Sequence, residues 1–167
     1  QPPAEALDAP VVWLSYPVTW AFCDFYGLSL PSEAQWEKAA RGADERLYPW
    51  GHEQPNPAFC NYRDVVGGVS RVGQFELDHS PYGILELAGN ITEWCADRWS
   101  RQLLKGLPEI GAQDPVGTPQ SRSERAVVRG GHYHHKEAFL RTTCRQGIPL
   151  GQSAAHTGFR PVMDWRK

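Results

Sequence analysis

Glycine and proline punctuate this chain so densely that long regular elements have little room. Sixteen glycines and fourteen prolines are spread over 167 residues. Between Asp44 and Pro81, Pro49, Gly51, Pro55, Pro57, Gly67, Gly68 and Gly73 leave no helical period standing. That stretch is expected to be ordered loop with short strands, one of them over Arg71 to Phe75. Seven tryptophans in a chain that is 11% aromatic supply bulky packing for short elements. The residues point to a single turn-rich domain.

Elsewhere local signals are stronger. Residues 1–9 read as an extended tail, and Val11 to Leu14 as a short buried strand. Ser15 is a plausible N-cap for a helix with Pro17 in its first turn, an apolar stripe of Val18, Ala21, Phe22 and Phe25, and Gly27 as its stop. Ser32 with Gln35 three residues on forms a capping box for a second helix, with Trp36, Ala39 and Ala40 on one face and Gly42 at its end. Gly89-Asn90 predicts a turn between two short elements in Gly83 to Trp99. Arg101 to Arg125 is polar and reads as an insertion. Strand-like pieces cover Ala126 to Arg129, Phe139 to Arg145 and Gly158 to Val162.

Charge narrows the function classes. A formal net charge of −2 gives no field that would steer the chain to nucleic acid or anionic lipid. No apolar run approaches the roughly 18 residues that a bilayer span needs, so membrane insertion is not expected. Of the 17 basic residues 13 are arginine, which favours planar, bidentate bonding. Cys23, Cys60, Cys95 and Cys144 lie far apart with no C-x-x-C pair, which favours a reduced, cytoplasmic setting.

Six segments in order then point one way. They are Pro10-Val11-Val12, Leu30 to Gly42, Tyr48-Pro49-Trp50-Gly51, Tyr82 to Trp94 (with Gly89-Asn90 and Glu93-Trp94), Val128-Arg129-Gly130-Gly131, and Gly158-Phe159-Arg160. Together they resemble the formylglycine-generating enzyme family, the sulfatase-modifying factors, over residues 10–167. The resemblance implies an irregular α+β fold of the C-type-lectin type, with short helices, short antiparallel strands and long ordered loops. The family domain begins with a strand-rich segment ahead of Val11, so the resemblance leaves three readings open: a fragment, one half of a cleaved domain with an N-terminal partner fragment or parent multidomain chain, or a reduced version.

In catalytic members two cysteines follow the R-G-G motif and bind copper. Here those positions hold His135 and Leu140, or Phe139 with a one-residue gap, so copper chemistry is not expected. Cys144 reads as a packed, structural cysteine. If residues 132–135 are extended, His132 and His134 share one face and His135 takes the other, and a His-x-His metal pair competes with a plain groove lining.

The resemblance also implies a structural calcium site made by the Glu86 and Glu93 side chains and the Gly89 and Ile91 carbonyls. A second site would use Asn61 and the Tyr62 carbonyl, with Asp64 as a substitute ligand. Oxygen donors around a glycine turn suit that hard cation. Arg129, Arg141 and Arg160 read as internal pins for the loops.

Three functions compete. The first is a non-catalytic ligand-binding or sensor module for a protein or small-molecule ligand. Its surface lies in 132–157 and includes His132, Tyr133, His134, His135, Phe139, Ile148 and His156. One branch of the family diversifies this region by retroelements, and these residues are compatible with that. The second is a metal-dependent oxidase or oxygenase with altered ligands, and the third is a structural or assembly subunit.

Overall fold

The computed structural model of the protein describes residues 8–100 and 123–163. Among the described residues two α-helices sit on opposite faces of one small sheet. Helix α1 spans Tyr16–Phe25 and helix α2 spans Glu33–Arg41. The strands are β1 Thr92–Arg98, β2 Arg125–Arg129, β3 Gln146–Pro149 and β4 Thr157–Phe159, in the spatial order β3-β2-β1-β4.

Period-two alternation assigns each strand residue to a layer. Trp94 of β1 and Ala126 and Val128 of β2 pack with Tyr16, Cys23 and Leu30 on the α1 side. Cys95 and Val127, one step along, pack with Trp36, Ala40 and Leu87 on the α2 side. A third cluster of Tyr48, Cys60, Tyr62, Ala88 and Leu140 fills the space under the long loops.

Helix α2 has the expected bounds and buries the expected Trp36 and Ala40, with Glu33 rather than Ala39 as the third buried residue. Ser32 Oγ accepts the Gln35 N–H at 3.1 Å and Gln35 Oε1 accepts the Ser32 N–H at 2.9 Å, which completes the capping box. Gly42, at φ +68°, ends the helix.

Several expectations are corrected. Val11 to Leu14 is no buried strand: Trp13 stands at φ +62°, and both Val11 and Trp13 are 64% exposed. Helix α1 follows Ser15, whose side chain makes no cap bond, and it buries Tyr16, Thr19 and Cys23 rather than the Val18, Phe22 and Phe25 stripe. Arg71 to Phe75 is turn. In Gly83 to Trp99 the Gly-Asn turn precedes a single strand, β1, with only a bridge from Leu85 to His79 before it.

Phe139 to Arg145 is not extended. Glu137–Leu140 forms a 3-10 turn that carries Leu140 into the third cluster, and the strand comes later as β3. The last piece shortens to β4, beyond which Val162 bridges Ser29. The strands are not all antiparallel, since β4 crosses the sheet to lie parallel to β1. The tail as far as residue 7, and the insertion from Arg101 to Arg122, lie outside the described residues.

Candidate functional site

The site begins where β2 ends. Arg129 is fully buried. Its Nη1 donates to Glu33 Oε1 at 2.7 Å, its Nη2 to Glu37 Oε2 at 2.7 Å and to the Thr142 carbonyl, and its guanidinium lies 5.1 Å from the centre of the Trp36 ring. Arg145 closes the other side of Glu33, with Nη2 to Oε2 at 2.6 Å. Of the three arginines expected as pins, Arg129 and Arg160 serve. Arg141 is exposed, and Arg145 takes its place.

Gly130 and Gly131 follow at φ +90° and +75°. A Cβ on Gly131 would lie 2.8 Å from the Phe139 carbonyl oxygen, so the sharp turn requires glycine. Residues 132–135 therefore curl into a turn, and the expected division of histidines between two faces does not arise. His132 and His135 come together instead, their ring centres 3.5 Å apart and their planes inclined by 30°. His156 stacks on His132 at 3.9 Å and Phe139 stacks on His135 at 4.3 Å. Four rings make one half-buried column.

Backbone groups set the tautomers in this column. His132 Nδ1 accepts the His134 N–H at 3.3 Å, and His135 Nδ1 accepts the His132 N–H at 3.1 Å. A ring nitrogen that accepts carries no proton, so the proton of each neutral ring sits on Nε2. Burial, together with the neighbouring histidines, pushes the His132 pKa down to about 3 and that of His135 to about 4, and burial lowers His156 as well. The column is neutral at pH 7.

His134 leaves the column. Its Nδ1 lies 2.5 Å from Asp64 Oδ1, and both side chains are about half exposed. Tyr133 is buried, with its ring tilted against His134 at 4.1 Å. Loop bonds tie the turn down: Arg63 N–H to the His135 carbonyl, Asp64 N–H to that of Tyr133, and Tyr133 N–H to that of Asn90. Gln146 Nε2 lies 3.5 Å from His135 Nε2; with the proton on that ring nitrogen, the Gln146 amide turns so that its oxygen, not its NH2, accepts from it. Ile148 does not join this surface; it lies in β3, packed against the α1-side core. Asp64, singled out only as a substitute metal ligand, and Gln146, not singled out at all, each reach the turn only through tertiary folding.

The Gly89-Asn90 turn lies next to it. Gly89 is at φ +78°, and a Cβ there would fall 2.3 Å from the Asn61 carbonyl oxygen. Glu93 accepts from Trp36 Nε1 at 2.7 Å and from Arg160 Nη2 at 2.8 Å. Arg160 Nη2 also donates to the Leu85 and Glu86 carbonyls. Glu86, at φ +57°, accepts the Gln74 N–H at 3.1 Å.

Beneath them Asp78 is fully buried, and its Oδ1 has no hydrogen-bond partner among the described residues. Burial raises its pKa well above the usual carboxylate range. Asn61 Oδ1 is likewise buried and unpartnered, the Tyr62 carbonyl accepts the Val65 N–H, and Asp64 is spent on His134.

Burial pushes all four thiols up; at Cys144, which is partly exposed, it outweighs the opposing pull of Arg129 and Arg141.

The sequence profile described as the sulfatase-modifying factor enzyme 1-like domain matches residues 2–165. The formylglycine-generating enzyme of Thermomonospora curvata is 35% identical over 172 residues, covering 93% of this chain and 55% of that protein. The inactive C-alpha-formylglycine-generating enzyme 2 of Bos taurus is 34% identical over 134 residues, covering 71% of this chain and 44% of its own. The chain thus spans about half the length of these relatives. Among solved structures, PvdO from Pseudomonas aeruginosa superposes with a TM-score of 0.80 at 22% identity, over 92% of this chain and 61% of that one. That likeness shows the fold.

Proposed function

Because the chain belongs to the sulfatase-modifying factor enzyme 1-like family, we propose that it uses the family scaffold as a non-catalytic ligand-binding module. The binding surface is the ring column and its rim within residues 132–157. The observation that carries this reading is the direction of the two hydrogen bonds at His132 and His135. A metal-binding imidazole coordinates through its unprotonated nitrogen and donates its other N–H to an acceptor. In this column the unprotonated nitrogens are already occupied by backbone N–H groups. The rings are arranged as Nε2–H donors and flat stacking faces, the equipment of recognition rather than of metal chemistry.

The remaining donors point the same way. His135 and Leu140 stand at the positions that the resemblance gives to the copper-binding cysteines, and Leu140 is spent on core packing. An imidazole and an alkyl group do not make a dithiolate site.

Calcium is part of the same proposal, on condition that Arg160 gives up Glu93, both of whose oxygens it holds together with Trp36. The donors there are all oxygens, with the carboxylates of Asp78, Glu86 and Glu93 around the Arg160 guanidinium. The orphaned Asp78 Oδ1 needs a proton or a cation. Glu86, Glu93 and the Gly89 and Ile91 carbonyls would hold the ion, which would supply fixed positive charge to the turn. Asn61, with its unpartnered Oδ1, and Tyr62 would serve a second ion.

Two measurements test the reading. Protein incubated with copper and a cysteine-containing peptide is expected to show no peptide-dependent oxygen uptake, and sustained uptake would overturn the non-catalytic assignment. A peptide and small-molecule array is expected to give hits that His135→Ala weakens at least tenfold. Hits indifferent to that substitution would move the surface elsewhere.

A further inference from the structure

The turn at residues 132–135 is closed by two of its own rings. His135 Nδ1 accepts the His132 N–H at 3.1 Å, and His132 Nδ1 accepts the His134 N–H at 3.3 Å. In each ring Nε2 carries the proton, so Nδ1 is the only nitrogen that can take another. A proton taken up there converts the acceptor into a donor and sets N–H against N–H across the turn. It also puts a charge into a half-buried stack whose ring centres are 3.5 and 3.9 Å apart.

The groups that face the two rings do not offset that charge. Asp64 is held by His134 Nδ1 at 2.5 Å and Glu137 by Arg63 at 2.8 Å. Lys136 is exposed and of the wrong sign. Gln146 of β3 meets His135 through its amide, and His156 and Phe139 cover the ends of the stack. Among the described residues the turn is joined to the rest of the fold by three backbone hydrogen bonds, with Arg63, Asp64 and Asn90. Its stem is Gly130-Gly131, both at positive φ, where the backbone is free to pivot.

We propose that this turn is an acid-opened latch on the recognition surface: a proton at His132 Nδ1 or His135 Nδ1 removes the acceptor that closes it, and the turn lifts from residues 63–64 while the sheet stays folded. Its consequence for a ligand rests on the binding-module reading, whereas the opening itself rests on the two hydrogen bonds. Burial, with the neighbouring rings, holds His132 near 3 and His135 near 4 in the closed turn, against about 6.5 for a free imidazole. The closed turn therefore binds fewer protons than the open one, and opening becomes easier as pH falls from 6.5 towards 4. His134 works the other way, since a proton on it strengthens the pair with Asp64.

The test is amide hydrogen exchange, followed by NMR on the full ¹⁵N-labelled chain from about pH 6.5 down to about 4.5, with each rate divided by the chemical exchange rate at that pH. Protection of the His132 and His134 amides is expected to fall at least about tenfold over the range. It should also stay below that of Val127 and Val128 in β2 throughout, the mark of a local opening. His132→Asn combined with His135→Asn keeps an acceptor oxygen where each Nδ1 stood but cannot titrate, so protection of the same amides should stay flat. If that double variant does not fold, His135→Asn alone should cut the fall to about threefold. Wild-type protection that ignores pH, an equal fall in the double variant, or turn amides as protected as those of β2 would overturn the proposal. The measurement needs no ligand, so array hits combined with pH-independent exchange would sink the latch and leave the binding module standing.

Discussion

Helices α1 and α2 cover opposite faces of one sheet and do so by different physics. Helix α2 is capped at its start, buries one narrow face around Trp36 and Ala40, and uses its acids: Glu33 and Glu37 reach Arg129, and Glu33 also reaches Arg145. Helix α1 lacks a side-chain cap, forms no ion pair among the described residues, and spreads apolar groups around its axis. The α2 side fixes direction through charge and hydrogen bonds, and it supports the Arg129-Gly130-Gly131 corner from which the histidine turn hangs. The α1 side is held by area alone, which explains why it has apolar surface to spare.

The contrast can be broken most severely at Arg129. Arg129→Ala would remove a fully buried cation together with its contacts to Trp36 and the Thr142 carbonyl, while Glu33 keeps Arg145, at a cost of about 3 kcal/mol in urea denaturation. Gly131→Ala comes next, at about 2 kcal/mol, because it combines a strained φ with a clash on the Phe139 carbonyl.

The third test is pH. In the folded chain His132 titrates near 3 and His135 near 4, against 6.5 when unfolded. Below pH 6.5 the unfolded chain therefore binds more protons, and stability falls as pH drops from 6.5 towards 4. The loss should be on the order of 1–2 kcal/mol for the pair once solvent screening is allowed for. His132→Gln combined with His135→Gln should flatten that limb in urea melts across the range, although His134, Asp64 and His156 also face the turn.

The smallest effects sharpen the helix comparison itself. Ser32→Ala should cost about 1 kcal/mol through the lost capping box, whereas Ser15→Ala should stay within about 0.5 kcal/mol. Equal losses at the two serines would erase the distinction.

What was legible in the sequence follows the same divide. The bounds of helix α2 could be read because a capping box and a terminal glycine agree locally; of its expected face, Trp36 and Ala40 are buried, while Ala39 stays half-buried and Glu33, turned to Arg129, takes the third place. Strand β2 was readable from Ala126 to Arg129 for a similar reason. The face of α1 was not, since two apolar stripes compete and only tertiary packing chooses Tyr16, Thr19 and Cys23.

Phe139 to Arg145 misled because its apolar content serves a turn that plugs Leu140 into the loop core. At the site, the sequence supplied the histidines and Phe139 but not their arrangement. Two consecutive positive-φ glycines redirect the chain, and the partners Asp64 and Gln146 arrive from elsewhere. Ile148 shares the stretch but belongs to the sheet.

The most direct measurement is a long-range nitrogen–proton spectrum of the ¹⁵N-labelled histidine rings at pH 7, taken before and after one equivalent of copper or zinc. Nε2–H neutral tautomers at His132 and His135, unchanged by the metal, are the expected result. Nδ1–H tautomers, or ring signals at both residues that shift or broaden stoichiometrically with the metal, would contradict it and make the column a metal centre.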